Sequence, residues 1–370
     1  MPSLTQFDHH LTHDGPAALV LREHLMPVEG TDGVLFPATF AAGDGFPGGY
    51  NIDTDPSGKN VALIDSVGSQ ANRIEPIFLE GEYAKLVPQV AVTAGDKTVS
   101  ILEAGHRAGD ALVRCSSLGP TLKAAFQAVL KGDATELAKI APTSLVFGVW
   151  DSRDTQAKLP RVMASTIRAF DVRRLTRGAV YTPPLDYAEQ QVFSEEEKQK
   201  AEGDNKNPLA KRGFVHVPAS GSHGGVIADG GIRRDATLGL AALRLLHAGK
   251  EETKTLALRR YILGLALVAF THNPSGYLRQ GCLLVVNPDK PRECVEVHPT
   301  GERKPFTLSH KDAMAYAAEV AKAFGVGAGK TVPFEQEKAK ADVKGEGDTK
   351  TKPKKPAKSK DKPAEGENAG

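Results

Sequence analysis

The chain has 370 residues, 40% of them hydrophobic and 25% charged, which suits a globular protein with a real core and room for one large domain or two ordinary ones. Lys plus Arg number 47 and Asp plus Glu 45, so the formal charge is only +2, a balance that taken whole speaks against a nucleic-acid partner. Three cysteines exclude a disulfide framework and fit a reducing compartment, residues 1–10 show no basic start followed by an apolar run, so no secretory leader is expected, and the longest apolar-plus-glycine run, residues 261–270, falls short of the ~20 residues of a membrane span. The expectation is a cytoplasmic protein with no membrane partner.

In chain order, residues 61–64 form a short apolar strand, followed by a helix over 69–79 capped by the Ser69 hydroxyl. Residues 84–93 read as a strand, and 121–130 and 135–140 as helices. Residues 145–150 read as a buried strand and 166–172 as a second. The polar stretch 194–212 reads as a mobile loop. Leu- and Ala-rich helices are expected over 234–247 and 253–270, with Gly249 between them as a C-cap. Strands follow at 282–286 and 294–298, then a helix over 311–324 ended by Gly325. From 335 to 370 the chain holds ten Lys and eight acids, with no aromatic residue, Leu or Ile; that composition predicts a disordered Lys/Pro-rich tail. Mixed elements with irregular connections predict an α+β fold around an antiparallel sheet, in one body over 1–334.

Several motifs fail on spacing. GVGAGKT at 325–331 has Phe324 where a phosphate loop needs Gly, and a helix precedes it rather than a strand. SGSHGG at 220–225 is not G-x-S-x-G. Cys282, Cys294 and His298 have no Cys-x2-Cys half-site and read as structural thiols beside an ordinary His. His9, His10 and His13 read as a solvated cluster. RGFVHV at 212–217 begins like an RNA-recognition strand and departs at Val215. No cofactor or metal is expected.

One constellation survives. Residues 150–178 contain Arg153, Arg161, Arg168, Arg173, Arg174, Arg177 and Lys158 against Asp151, Asp154 and Asp171, an excess of four cations in 29 residues. Outside the tail, the remaining 334 residues balance at 37 basic and 37 acidic, so the neutral sum conceals a basic lane. Arginine dominates it, and guanidinium forks bind phosphate bidentately and stack on bases. Trp150, Phe170 and Tyr181 interleave as stacking faces, and Gln156 lies between Arg153 and Lys158. A second polar set, Ser69, Gln70, Asn72 and Arg73, follows the 61–64 strand and offers an amide and a guanidinium three residues apart on one helical face.

Four segments carry a resemblance: LIDSVGSQANRIEP (63–76), ILEAGHRAGDALVR (101–114), FGVWDSRDTQAKLPRVMASTIRAFDV (147–172) and GGVIADGGIRRDATLGLAALRLL (224–246). In this order they resemble the backbone RAMP subunit of the type I-G (formerly I-U) CRISPR effector complex. The resemblance implies a modified RNA-recognition-motif (ferredoxin-like) palm with finger and thumb insertions. It implies a non-catalytic scaffold, copies of which polymerise along CRISPR guide RNA and present its spacer to target DNA, beside other effector subunits, in antiviral defence. Ser69, Gln70, Asn72, Arg73, Arg153, Gln156, Lys158, Arg161 and Arg168 are then the expected guide contacts, with Arg173, Arg174 and Arg177 beside them. Two other readings stand apart from it. One is a ribonuclease that processes the guide with His9, His10 or His223 as acid or base. The other is a nucleotide-dependent regulator built on Lys330.

Overall fold

A computed structural model describes residues 3–273 and 276–345. Its strands and helices, labelled in chain order, are β1 (Ala18–Pro27), β2 (Asn60–Asp65), α1 (Val67–Ile74), α2 (Gly119–Leu130), α3 (Pro142–Phe147), β3 (Met163–Phe170), β4 (Val172–Tyr181), β5 (Val217–Ala228), β6 (Ile232–Gly239), α4 (Glu252–Thr271), β7 (Cys282–Val286), β8 (Glu293–Val297), α5 (His310–Phe324) and α6 (Gln336–Lys344). Smaller strands and turns join them.

The main sheet has nine strands, and every pairing in it is antiparallel. β1 pairs with β6 along the whole of β6, from Ala18 opposite Gly239 to Leu25 opposite Ile232. β6 pairs on its other edge with β3, and β3 with β2. On its outer edge β1 meets β8 over residues 18–22 and β7 over residues 25–27. The order in space is therefore β7/β8, β1, β6, β3, β2, with helices inserted between β1 and β3 and between β6 and β7. Among the described residues no helix is long and apolar enough to cross a membrane.

Alternation explains the sheet. On β6, Ile232, Arg234, Ala236 and Leu238 are buried and the residues between them are more open. That period of two, with a partner on each edge, overrides the helix expected over 234–247; only Leu240–Leu243 makes a helical turn. Arg234 tolerates burial because Glu23 of β1 lies 3.5 Å away. The helices cover one end of this buried face. α4 is buried throughout residues 261–270, and α5 packs so close that a Cβ on Gly264 would lie 2.7 Å from Val320.

Other expectations need correction. Residues 145–147 are the end of helix α3, and within 145–150 Val149–Trp150 alone is strand. The strand expected over 84–93 is a 3-10 turn, Tyr83–Leu86, followed by the strand Val90–Ala94. The cap of α1 is Ser66, whose hydroxyl accepts from the Ser69 amide.

Residues 194–212 are not a bare loop. Ser194 and Glu197 form a capping box on helix Glu195–Ala201, and Pro208–Lys211 adds another turn. Ala201, Ala210 and Val215 make a small core of their own at the end of the β4–β5 hairpin. RGFVHV thus belongs to this knob and to the start of β5. Gly325 is the left-handed C-cap of α5, and the residues after it enter a strand, Lys330–Pro333, parallel to Val90–Ala94.

The first part of the segment expected to be disordered, 335–370, is ordered. Gln336–Lys344 is helical, tied down by Arg114 to Asp342 at 2.7 Å and by Lys338 to the Ser116 carbonyl at 3.4 Å. The expected disorder over 346–370 lies outside the described residues.

Candidate nucleic-acid interface

Two of the quoted segments, 101–114 and 147–172, meet at one cleft of about 480 Å3, whose lining includes His106, Arg107, Trp150, Lys158 and Arg161. Its floor is set by Gly148, where the backbone turns left-handed (φ 80) directly after α3. A Cβ there would stand 2.8 Å from Arg161 Cγ, so glycine lets the arginine stem lie against the main chain. Val149 then pairs with Leu159 and Trp150 with Lys158. That register puts the Lys158 ammonium 5.6 Å from the centroid of the Trp150 ring. The ring is 57% exposed, unusual for the only tryptophan of the chain.

The loop between these strands is built by its own acid. Asp151 is buried and accepts from the amides of Asp154 and Thr155 and from the Thr155 hydroxyl. Gln156, at φ 61, donates to the Ser152 carbonyl at 2.6 Å, which closes the loop rather than presenting the amide outward. Asp154 pairs with Lys123 of α2 at 3.1 Å. Asp171 lies in the tight turn between β3 and β4 (φ 48). Among the described residues none of the three acids pairs with an arginine of the lane.

The cations divide accordingly. Arg153, Arg161 and Arg174 are exposed and Arg168 half-buried, and none of the four has an ion-pair partner among the described residues. Arg168 stands opposite Arg233 on the open face of the sheet. Arg173 is bound by Asp229 at 2.6 and 3.2 Å. Arg177 is exposed on the β4–β5 hairpin. Of the expected stacking faces, Trp150 is open, Tyr181 is 47% exposed, and Phe170 lies under the Arg233 guanidinium at 4.8 Å.

The 69–73 set has a different role. Asp65, 2% exposed, accepts from Ser69 at 2.7 Å, Gln70 at 2.6 Å, Arg73 at 3.1 Å and Arg279 at 3.2 Å. Gln70 is fully buried and also accepts from Ser165 at 3.0 Å. Gln70 therefore presents nothing to a ligand, and Ser69 and Arg73 are spent on the same carboxylate. Asn72 is exposed and reaches the cleft, accepting from Arg107 at 3.2 Å.

Arg107 was not among the residues the sequence singled out. It is buried at φ 53, 2.6 Å from Glu75 and 5.4 Å from the centroid of the Phe147 ring. Burial pushes the Glu75 carboxyl up to about 7 against the pull of Arg107. The GHR step inside 101–114 was its only trace in the sequence. His9 and His10 converge on Glu296, and the exposed His223 lies against Tyr50, 4.8 Å between centroids.

The arrangement suits an extended polyanion: exposed guanidinium groups without counter-ions among the described residues, a lysine and an open indole, on strands that fix their spacing. No individually curated protein matches the chain. Residues 19–174, which hold β1, β2, β3, the cleft and the lane as far as Arg174, match the family model of the CRISPR-associated protein GSU0053, and over that segment the chain is similar to this CRISPR-associated family.

Proposed function

We propose that the chain is the guide-RNA-binding backbone subunit of a type I-G CRISPR effector complex, a scaffold without a nuclease centre of its own. Copies of it line up along the guide RNA, hold the phosphate backbone, and leave the spacer bases free to pair with target DNA. The observation that carries this reading is the separation of charges in the lane: its acids are used within their own loop, on Lys123 or at a turn, while Arg153, Arg161, Arg168 and Arg174 have no ion-pair partner among the described residues. Guide binding without sequence preference needs such phosphate contacts and not base readout.

Two further observations support it. The central strands β1, β3, β6 and β7/β8 take the spatial order fourth, first, third, second, all antiparallel, with helical insertions after the first and third. We read that order as the β-α-β-β-α-β plan of an RNA-recognition-type palm, with the β4–β5 hairpin as an insertion between its second and third strands. The segment matched by the CRISPR-associated family also contains most of the lane.

The test is charge reversal of Arg153 together with Arg161. Protein purified with its guide should lose the RNA, read as a fall in the ratio of absorbance at 260 nm to that at 280 nm, with an unchanged far-ultraviolet circular dichroism spectrum. RNA retained at the wild-type level overturns the assignment.

A further inference from the structure

The start of the chain holds a second constellation, apart from the cleft and the lane. The 3-10 turn Asp8–His10 is fixed from two sides. Asp8 takes both ends of the Arg260 guanidinium, at 2.8 and 2.5 Å. Arg244 donates to the carbonyls of His10 and Pro16 at 2.9 and 3.0 Å. The His10 ring is fully buried, stacked on Phe7 at 5.7 Å and met edge-on by Phe306 at 5.6 Å. The His9 ring lies 3.9 Å from it, centroid to centroid, and is 56% exposed. The cluster expected to be solvated is therefore half inside the protein.

Both rings aim the same atom at one carboxylate. His9 Nε2 is 3.3 Å and His10 Nε2 2.7 Å from Oε1 of Glu296, on β8, and the three atoms all lie within 4.8 Å of one another. The second oxygen of Glu296 is 4.0 Å from His298 Nε2, a buried nitrogen with no hydrogen-bond partner among the described residues.

We propose that His9, His10 and Glu296 form a binding site for a divalent transition-metal ion, zinc by preference, with His298 next to the carboxylate to complete the set. Two imidazole nitrogens and a carboxylate oxygen are a zinc donor set, and bonds of about 2.0–2.2 Å in tetrahedral geometry place ligand atoms roughly 3.3 Å apart. The His9–Glu296 pair already has that spacing, and the His10–Glu296 pair reaches it by opening about 0.6 Å. Hard cations such as magnesium and calcium ask for oxygen ligands and find one carboxylate here. Phe7 and Phe306 hold the His10 ring by packing, so one ligand is set in place before the ion arrives. An ion there joins the N-terminal turn to the edge strand of the sheet, 286 residues further along the chain.

The experiment uses the full chain, stripped of metal with a chelator and titrated with zinc chloride by calorimetry, then with cobalt chloride followed by visible absorbance. One zinc per chain is expected, with micromolar or tighter affinity, a thermal midpoint that rises with zinc, and the d–d absorption of tetrahedral cobalt. His9→Ala removes an exposed ring and leaves the Phe7–His10–Phe306 packing alone. It should weaken binding by on the order of tenfold or more and abolish the tetrahedral cobalt spectrum. Glu296→Gln should do the same, while His106→Ala, an exposed histidine at the cleft, should change neither. Absence of zinc binding in the micromolar range, or equal affinity in wild type and His9→Ala, overturns the proposal.

Discussion

The 69–73 helix start and the 150–177 lane use the same residue types, arginine with neighbouring amides and hydroxyls. They end in opposite situations. In the first, Ser69, Gln70 and Arg73 turn inward onto Asp65, and Arg279 arrives from a distant strand to join them. In the second, the acids of the lane are engaged elsewhere and the arginines point outward. The difference lies in the position of one carboxylate. A buried acid at the end of a strand organises every donor within reach, because leaving any of them unpaired inside the protein is costly. An exposed lane with no such acid keeps its cations for a ligand.

Substitutions sharpen that contrast. The largest effect is expected at Asp65. Asp65→Asn leaves Arg73 and Arg279 without a counter-ion, at a cost on the order of 3 kcal/mol, the low end for a broken buried pair because both arginines are partly exposed. Urea unfolding should show the loss, while the fraction that remains folded keeps its RNA. Arg153→Glu with Arg161→Glu should give the mirror image. Stability should move by no more than about 0.5 kcal/mol, as for surface sites in general, and RNA retention should vanish. If the two variants exchange phenotypes, the assignment of the two regions is wrong.

Trp150→Ala comes next. Loss of one base stack is worth about 1–3 kcal/mol, or roughly 5- to 150-fold in affinity. Because no charge is removed, the slope of log affinity against log salt should stay the same. A change in slope with no change in affinity at fixed salt would mean that Trp150 shapes the protein and does not stack on RNA.

Much of this was legible in the sequence, for reasons that can be stated. The lane was visible because charge counting by segment needs no fold, and the antiparallel α+β class followed from the mix of elements. β6 was missed because its Arg233, Arg234 and Asp235 look like the polar start of a helix, and only the sheet partners reveal that Arg234 is buried on Glu23. β1 was missed for a related reason: Glu23 interrupts its buried row of Leu19, Leu21 and Leu25. Ser69, Gln70 and Arg73 were misjudged because Asp65 ends an apolar strand, and nothing local announces a carboxylate that will be sealed in. Arg107 was invisible because its burial and left-handed backbone depend on Glu75, Phe147 and Gly148, which are distant in sequence.

The finest form of the comparison lies within a single strand. Arg173 and Arg174 are neighbours on β4, so their side chains leave opposite faces. Arg173 is held by Asp229 across the hairpin, and Arg174 has no ion-pair partner among the described residues. If pairing decides which cations serve the guide, the two alanine variants should differ although both sites are exposed and neither should shift the unfolding midpoint measurably. Arg174→Ala should lower the salt slope of RNA binding by about 0.7, the share of one phosphate contact on a single strand. Arg173→Ala should leave that slope where it is, because its charge is already balanced and Asp229 is released along with it. Equal slopes in the two variants would show that position along the lane, and not the absence of a partner acid, selects the arginines that meet phosphate.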